Sequence, residues 1–328
     1  MIEEVIRAIN NAESFFLTSH LNPDGDAVGS LLAFNCFLTE QGRKTTSFLA
    51  DPLPNNFSFL TNSDTILNSL KDIRGGSFDV TIVVDSTDWK RTGLGSDPMV
   101  DNDLDLGTVI NIDHHESNDN FGHINIVDPE TSAVGEIIYD IIAASGLPLS
   151  LDVAICLYTA IMTDTGNFTY SNTTAKSFEI SEKLVKIGVR PDKIAEEINE
   201  NYPISRLELL RMALDTLEFS DDYSVGAITI SQDMLKKTNA GPDIIEGFID
   251  YPRYISGVKI AVLFREQKEG GYKVSFRSRD AIDVSRIAER FGGGGHTNAS
   301  GCSIEGKLDE VKPKVFDVIK STLKEDKK

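Results

Sequence analysis

Carboxylates and imidazoles recur in four short segments of the first half of the chain, and both side-chain types bind divalent cations. The segments contain, in order, His20 with Asp24 and Asp26, then Asp85, then Asp113 with His114 and His115, and finally Asp164. Two cations held together can polarise a phosphoryl group and activate water for attack on phosphorus. The pattern therefore predicts a two-metal centre in a hydrolase that acts on phosphoesters.

Each segment taken alone has a simpler structural explanation. Asp24 and Asp26 lie in a predicted turn, and Asp26 is expected at the N-cap of the following helix. Asp85 follows an apolar run, where a buried acid costs free energy unless a cation or a helix N-terminus compensates it. Asp164 closes an apolar helix, where the helix dipole disfavours a carboxylate. The metal interpretation therefore depends on the four segments in combination.

The histidines support this interpretation, because four of the five in the chain fall in candidate motifs. In a loop past a strand, His114 and His115 can take different roles, one as a metal ligand and one as a substrate contact. His123 lies in a strand-like segment and is predicted to be structural. Mixed carboxylate and imidazole ligands favour Mn²⁺, with Mg²⁺ as the alternative, because imidazole suits the softer ion.

The composition predicts an acidic globular protein with two domains. The chain has 328 residues, of which 40% are hydrophobic and 25% charged, and its net charge is −19. A protein that coats long nucleic acid needs a basic surface, so a nucleotide substrate should be short. We find neither an apolar run of about 20 residues nor a signal-peptide pattern, and expect a cytoplasmic protein without a membrane partner.

The cysteines are too far apart to suggest a disulfide framework or a thiolate zinc site. Cys36 and Cys156 have apolar helical neighbours, and Cys302 lies near the end of the chain. We predict that Cys36 and Cys156 act as small buried hydrophobic residues.

The first half of the chain predicts an α/β fold, with a mostly parallel sheet flanked by helices. Predicted strands lie at residues 14–20, 78–85 and 108–113, and predicted helices at 25–42, 132–144, 149–162 and 174–188. In such sheets the ligand binds beyond the carboxyl ends of the strands. His20, Asp85 and Asp113 all fall there.

The second half predicts a smaller α/β domain with a mixed sheet. Strand-like segments lie at residues 223–230, 256–264 and 272–276, and Gly270 with Gly271 predicts a hairpin turn between the last two. A helix at 283–291, a further strand and a lysine-rich helix complete it. We therefore predict a catalytic domain at 1–188, a helical connector at 189–222 and a substrate-binding domain at 223–328.

A run of four glycines before His296 is the last chemical signal. Consecutive glycines can surround an anion with backbone N–H groups, or can form a flexible hairpin. Arg277 and Arg279 can supply guanidinium groups for phosphate, and Phe276 or His296 could stack on a base. The predicted substrate-binding residues are Arg277, Arg279, Gly293, Gly294, Gly295 and His296.

Together these motifs resemble those of the DHH phosphoesterase superfamily with a C-terminal DHH-associated domain. The similar segments are residues 20–27, 84–86, 113–115 and 163–166, followed by 291–296 with Ala299 and Gly301. The resemblance is strongest to bacterial oligoribonuclease (nanoRNase) and pAp phosphatase proteins, often labelled exopolyphosphatase-related. It covers nearly the whole chain. Many relatives have a second alanine between Ala299 and Gly301, where this chain has Ser300.

The resemblance implies ligand sets for two divalent cations. The first set is His20, Asp24 and Asp85. The second set is Asp26, Asp85, His114 and Asp164. Asp85 would bridge the two cations, His115 would contact the scissile phosphate, and Asp113 would support the site. Arg277 and residues 292–296 would hold the substrate from the second domain.

The predicted activity is hydrolysis of short oligoribonucleotides to mononucleotides, and removal of a phosphate from 3′-phosphoadenosine 5′-phosphate (pAp). A phosphodiesterase acting on cyclic or linear dinucleotides is the alternative. An exopolyphosphatase or pyrophosphatase would need a denser cationic site. A regulator without catalysis is disfavoured because the ligand acids are all retained. We expect a monomer or homodimer that binds no long duplex.

Overall fold

The computed structural model describes residues 1–200, 202–245, 247–279 and 282–325. The chain divides into two compact units, Met1–Asn201 and Tyr202–Lys328. Helix Pro191–Asn199 falls in the first unit and helix Ile204–Leu214 in the second. The domain boundaries expected from the sequence, with a connector at 189–222, stay a prediction.

A parallel five-stranded sheet forms the centre of the first unit, in the order β2-β1-β3-β4-β5. The strands are β1 (Ser14–Thr18), β2 (Lys44–Phe48), β3 (Val80–Val84), β4 (Thr108–Asp113) and β5 (Ile124–Val127). Thr18 pairs with Val83, and Val84 pairs with Ile112. The carboxyl ends of β1, β3 and β4 therefore lie at one edge of the sheet. The predicted parallel α/β sheet is confirmed.

Helices flank this sheet, and its two faces are covered unequally. The helices of the first unit are α1 (Ile2–Asn11), α2 (Gly25–Glu40), α3 (Leu70–Ile73), α4 (Pro98–Asp101), α5 (Val134–Ala144), α6 (Leu151–Asp164), α7 (Ala175–Ile187) and α8 (Pro191–Asn199). The larger core joins one sheet face to long helices that include α2, α5 and α6. The opposite face packs Phe16 and Val83 against Ile73 of α3 and the loop residue Leu94.

Helices α2 and α6 pack closely because Gly29 has no side chain. A Cβ at Gly29 would lie 2.6 Å from the Cys156 carbonyl oxygen. Cys36 and Cys156 are both buried free thiols in this core, as predicted. His123 accepts a 2.9 Å hydrogen bond from the Val109 N–H at its Nδ1, which confirms its structural role.

The start of α2 differs from the prediction. Its N-cap is Asp24, whose carboxylate accepts hydrogen bonds of 3.1 Å from the backbone N–H groups of Asp26 and Ala27. The prediction that Asp26 is the cap is wrong. Asp26 lies inside the first turn, and its carboxylate instead accepts from the N-terminus of α5 at Val134 and Gly135.

The second unit contains a mixed six-stranded sheet in the order β10-β11-β9-β8-β7-β6. The strands are β6 (Glu218–Phe219), β7 (Val225–Ile230), β8 (Ile260–Glu266), β9 (Tyr272–Ser278), β10 (Gly294–His296) and β11 (Ala299–Ile304). Strands β7 and β8 are parallel, and the other pairs are antiparallel. Gly270 and Gly271 both have positive φ in the turn between β8 and β9, so the predicted hairpin is confirmed.

Helices pack against both faces of this second sheet. They are α9 (Ile204–Leu214), α10 (Gln232–Thr238), α11 (Asp250–Arg253), α12 (Ser285–Glu289) and α13 (Leu308–Glu325). Phe276 is fully buried in the core that includes Ile287 of α12 and Val315 of α13. The suggestion that Phe276 stacks on a base is therefore wrong, because strand alternation turns its ring into this core. In the described part of the chain, no helix is long and apolar enough to cross a membrane.

Candidate active site

The predicted acids and histidines of the first unit meet at the carboxyl edge of its sheet. His20 follows β1, Asp85 follows β3, and Asp113 is the last residue of β4. Asp164 is the last residue of α6, and its Oδ2 lies 3.7 Å from His114 Nε2. Residues separated by more than a hundred positions thus form one cluster, which we name the acid–histidine cluster.

Asp85 is the centre of the acid–histidine cluster. Its Oδ2 lies 3.3 Å from His20 Nε2, and its Oδ1 lies 3.8 Å from His114 Nε2. The residue is 3% exposed, and Oδ1 has no hydrogen-bond partner among the described residues. Its φ of +54° is unusual for a residue other than glycine and costs about 1–3 kcal/mol. A buried carboxylate oxygen without a donor is a suitable ligand for a cation.

The side chains fall into sets whose ligand atoms lie within 4.8 Å of one another. These sets are His20 with Asp24 and Asp85, Asp26 with His114 and Asp164, and Asp85 with His114 and His115. Two of them reproduce the cores of the ligand sets that the motif resemblance implies. Oxygen and imidazole donors in such groups fit two divalent cations.

Backbone carbonyls orient the two histidines that face Asp85. Nδ1 of His20 lies 2.8 Å from the Leu21 carbonyl oxygen, and Nδ1 of His114 lies 3.2 Å from that of Thr131. A carbonyl oxygen can only accept, so each Nδ1 carries a proton and donates it. Each Nε2 is therefore the nitrogen turned towards the carboxylates, as in histidines that bind metals.

His115 is held in a different way, through Asp113. Its Nδ1 lies 2.8 Å from Asp113 Oδ1, and the Asp113 side chain is fully buried. Burial alone would raise the pKa of Asp113. The hydrogen bond and charge of His115 and the amide of Asn118 outweigh burial and lower this pKa. The predicted contact of His115 with substrate stays a prediction.

Asn118 is a site residue that the sequence analysis missed. Its Nδ2 donates to Asp113 Oδ2 at 2.6 Å and to the Ser86 carbonyl at 3.1 Å. Asn118 thus ties the end of β4 to the loop that follows Asp85. The available signal was weak: a polar residue five positions after Asp113, in a loop.

Asp26 is buried against the N-terminus of α5. It accepts from the N–H groups of Val134 at 2.6 Å and Gly135 at 3.0 Å, and from the hydroxyl of Ser30 at 3.0 Å. The N-cap of α5 is Ala133, whose side chain cannot cap, so Asp26 satisfies these donors from another part of the chain. Burial first, and then the neighbouring carboxylates, raise the pKa of Asp26 well above its ordinary value.

The excess of acids in the cluster shifts its titration. Burial alone lowers the pKa of His20, but Asp24 and Asp85 outweigh it and raise that pKa to about 11. For His114, burial is likewise outweighed by the facing carboxylates, and the pKa rises to about 9. Burial raises the pKa of Asp164 to about 7. The cluster therefore favours added positive charge, whether protons or cations.

The arginines predicted to bind substrate lie on β9 of the second unit and just beyond it. Along β9, Val274 and Phe276 are buried, whereas Ser275 and Arg277 are partly exposed. Arg277 Nη1 donates to the Phe276 carbonyl at 3.1 Å, and Arg279 is exposed. On the neighbouring β11, small residues share the side of Arg277 and are also partly exposed, namely Ala299 and Gly301. We name this surface the open sheet face.

Close packing of the backbone accounts for two of the glycines before His296. A Cβ at Gly293 would lie 2.2 Å from the Gly301 carbonyl oxygen, and one at Gly295 would lie 2.6 Å from that of Ala299. A Cβ at Gly294 would meet nothing within 4 Å. The Gly293 N–H donates to the Ala288 carbonyl, so it already has an acceptor. A role of these glycines in anion binding stays a prediction.

His296 pairs through its backbone with Ala299, at the end of β10. Its side chain lies outside the described residues. The predicted contact of His296 with substrate therefore stays a prediction as well.

Comparisons with known proteins extend over the whole chain. Residues 14–161 match the DHH family, N-terminal domain, and residues 223–325 match the DHHA1 domain. A Thermus thermophilus protein named bifunctional oligoribonuclease and PAP phosphatase NrnA is 30% identical, over 98% of this chain and 94% of that protein. A Bacillus subtilis protein of the same name is 28% identical, over 93% of each.

A solved structure gives the same result at the level of the fold. It is the crystal structure of an exopolyphosphatase-related protein from Bacteroides fragilis, with a TM-score of 0.90 and 30% sequence identity. The alignment covers 99% of this chain and 95% of that chain. Both the parallel sheet and the mixed sheet are therefore features shared with that protein.

Proposed function

The chain belongs to the DHH family and is a phosphoric ester hydrolase, and we propose that it degrades short oligoribonucleotides to mononucleotides and dephosphorylates pAp. Relatives similar over nearly their full length carry both activities in their names. The observation that carries the proposal is the pair of ligand groups that meet at Asp85.

Two divalent cations are proposed to bind in these groups. Family membership implies divalent cations, and we propose Mn²⁺ because imidazole nitrogens stand among the ligands. One cation would be held by His20 and Asp24. The other would be held by Asp26, His114 and Asp164. Asp85 would bind both cations. Bound there, the cations would lower the pKa of a water and neutralise charge on the phosphoryl group.

The residues of the chain have separate tasks in this proposal. Asp113 holds Nδ1 of His115, and the imidazole ring would contact a phosphoryl oxygen as negative charge develops there. Asn118 fixes Asp113 from its other oxygen. The buried N-terminus of α5 fixes Asp26. The ligand atoms are thereby held before substrate arrives, which reduces reorganisation during the reaction.

The second unit is proposed to supply substrate binding. Arg277 and Arg279 offer guanidinium groups, whose planar donors match phosphate oxygens. The small residues of the open sheet face, Ala299 and Gly301, leave room for a ligand beside Arg277. With a net charge of −19, these local cations would favour short substrates over long duplexes. A cytoplasmic location and a monomeric or dimeric state stay predictions.

Product analysis with Mn²⁺ tests the proposal. The substrates are pAp, di- to pentaribonucleotides, a long RNA, cyclic di-AMP and pyrophosphate, and Asp85→Asn protein is the control. We expect AMP from pAp and mononucleotides from the short RNAs, with little product from the long RNA. A preference for cyclic di-AMP would replace the substrate assignment with that of a dinucleotide phosphodiesterase. A preference for pyrophosphate would overturn the nucleotide assignment altogether.

A further inference from the structure

Two cations lie side by side on the open sheet face. Arg265 of β8 and Lys273 of β9 are directly opposite each other in the register of these antiparallel strands. Phe264 and Val274, their neighbours in the sequence, are buried in the core on the other side of the sheet. Strand alternation therefore places both cations on the same side as Arg277. Lys273 is exposed there, and Arg265 is partly exposed.

This pair of cations has no acidic partner in the described part of the chain. There, neither side chain makes a hydrogen bond or an ion pair, whereas Lys237 of the same unit pairs with Asp233 at 2.7 Å. Like charges directly opposite each other across two strands are destabilising. Partial desolvation first, and then the charge of Arg265, lower the pKa of Lys273. An anion from outside the chain would relieve this repulsion.

Strand β11 adds a hydroxyl group to the two cations. Ser303 pairs with Lys273 on the side away from Arg265, and it is exposed. Its neighbour Cys302 is buried in the core, so Ser303 lies on the same side of the sheet as the two cations. A guanidinium group, an ammonium group and a hydroxyl group thus form one line across three strands, and each can donate to a phosphate oxygen. We name these three residues the donor row.

The donor row is separated from Arg277 by a stretch of small residues. Lys273 and Arg277 are four residues apart on β9, or about 13 Å between Cα atoms at the usual rise of a strand. Ser275 lies between them and pairs with Gly301 of β11. The two phosphates of pAp are attached to one ribose and lie much closer together, whereas phosphates along an oligonucleotide can reach both positions. The spacing therefore fits an oligonucleotide better than pAp.

We propose that the donor row of Arg265, Lys273 and Ser303 is a second phosphate site, which binds a phosphate of an oligoribonucleotide beyond the one held at Arg277. The inference rests on the proposed function and assigns to this row a preference for oligonucleotides over pAp. Contacts to phosphate carry no information about the base, so the site accepts any sequence. It also gives a chain with a net charge of −19 a local surface that attracts a short polyanion.

Calorimetric titration of the full-length protein with pentaadenylate and with pAp tests the site. Asp85→Asn protein with Mn²⁺ serves as the background, so that the ligands are not consumed. We expect Lys273→Ala to weaken pentaadenylate binding about tenfold and to leave pAp binding unchanged, and Lys273→Arg to restore most of the affinity. Lys320→Ala, at an exposed lysine of the helix α13 that covers the opposite face, should leave both affinities unchanged.

The salt dependence of pentaadenylate binding measures the phosphate contact in a second way. For single strands, the slope of log affinity against log salt concentration falls by about 0.7 for each phosphate contact that is lost. We expect joint replacement of Arg265 and Lys273 by alanine to make this slope shallower by about 0.7, and Lys320→Ala to leave it as it is. An unchanged slope in the double variant would overturn the site.

The comparison of the two ligands separates the site from other effects. Equal weakening of pentaadenylate and pAp by Lys273→Ala would overturn it, as would an unchanged pentaadenylate affinity or no pentaadenylate binding by the background protein. Thermal melting checks the fold of each variant, and Lys273→Gln replaces Lys273→Ala if that variant unfolds. Weakened binding of pentaadenylate alone, in a protein whose unaltered form hydrolyses neither pAp nor short RNA, would refute the proposed function and leave the phosphate site standing.

Discussion

The acid–histidine cluster of the first unit and the open sheet face of the second unit are constructed in opposite ways. In the cluster, His20, His114 and Asp26 are each fixed by a backbone partner, and the central carboxylate of Asp85 is buried. On the open sheet face, Arg277 is partly exposed among small side chains. We therefore expect the cluster to serve the chemical step and the sheet face to serve substrate binding. Substitutions should therefore separate kcat from KM.

The largest effect is expected at Asp85, since both proposed cation groups share it. Asp85→Asn should lower kcat by about 10³-fold or more, because the cations supply several kcal/mol of transition-state stabilisation. Steady-state kinetics with pAp and Mn²⁺ measure this loss. Asp140→Asn, at a half-exposed acid that pairs with Lys176 at 2.7 Å, is the matched control. Near-normal turnover by Asp85→Asn protein would remove its bridging role.

The next prediction concerns the pH dependence of Mn²⁺ binding to the acid–histidine cluster. In chelator-treated protein, the pKa values of about 11 for His20 and about 9 for His114 mean that each ring carries a second proton, on Nε2, at neutral pH. A cation must displace these protons, so Mn²⁺ affinity should rise with pH. We expect about tenfold per pH unit for each displaced proton, continuing towards pH 9.

Asp164 adds to the same trend, since its pKa of about 7 means that it also loses a proton near neutral pH. Titration with Mn²⁺ at pH 6, 7 and 8 in several buffers gives both the affinity and the number of protons released. An affinity independent of pH would contradict the assignment of the two histidines as ligands.

A KM effect is expected at Arg277. Arg277→Ala should raise KM for pAp about tenfold to a hundredfold and change kcat much less, because a charge-assisted hydrogen bond to phosphate is worth about 1.5–3 kcal/mol. Lys268→Ala, at an exposed residue near the hairpin turn of the same sheet, controls for the lost positive charge. A fall in kcat with constant KM would break the division between the two regions.

The smallest effect is expected at Asn118, which acts on His115 through Asp113. Asn118→Ala should lower kcat about tenfold with little change in KM, as other outer contacts of metal sites do. Asn111→Ala is a sharp control, because Asn111 Nδ2 also donates to the Ser86 carbonyl at 3.1 Å. Equal losses of kcat in the two variants would show that Asn118 acts by holding the loop after Asp85, and not by holding Asp113.

The sequence predicted the parts of the fold that have a strong local signal. Strands β1, β3 and β4 are apolar or β-branched runs, and the predicted α/β architecture is confirmed. Strand β2 (Lys44–Phe48) was missed, because it is an edge strand whose first three residues are exposed or partly exposed and therefore polar. An edge strand lacks the continuous hydrophobic run of a central parallel strand.

In the candidate site, too, only the features with a local sequence signal could be predicted. The four segments that contain its acids and histidines could be named from the sequence because each begins at or near the end of a predicted strand or helix. Their supports could not, because the Val134 N–H that fixes Asp26 lies 108 residues away and belongs to a helix without a capping side chain. Asn118 lies in a loop, and its contacts join it to residues distant in the sequence. Local patterns therefore predict the ligands, and only the fold identifies what holds them.

Anomalous diffraction from crystals grown with Mn²⁺ would locate the proposed pair of cation sites that share Asp85. We expect two anomalous peaks. One lies beside His20 and Asp24, the other beside His114 and Asp164, and both lie within coordination distance of Asp85. A single peak, or two peaks without a shared Asp85 carboxylate, would contradict it.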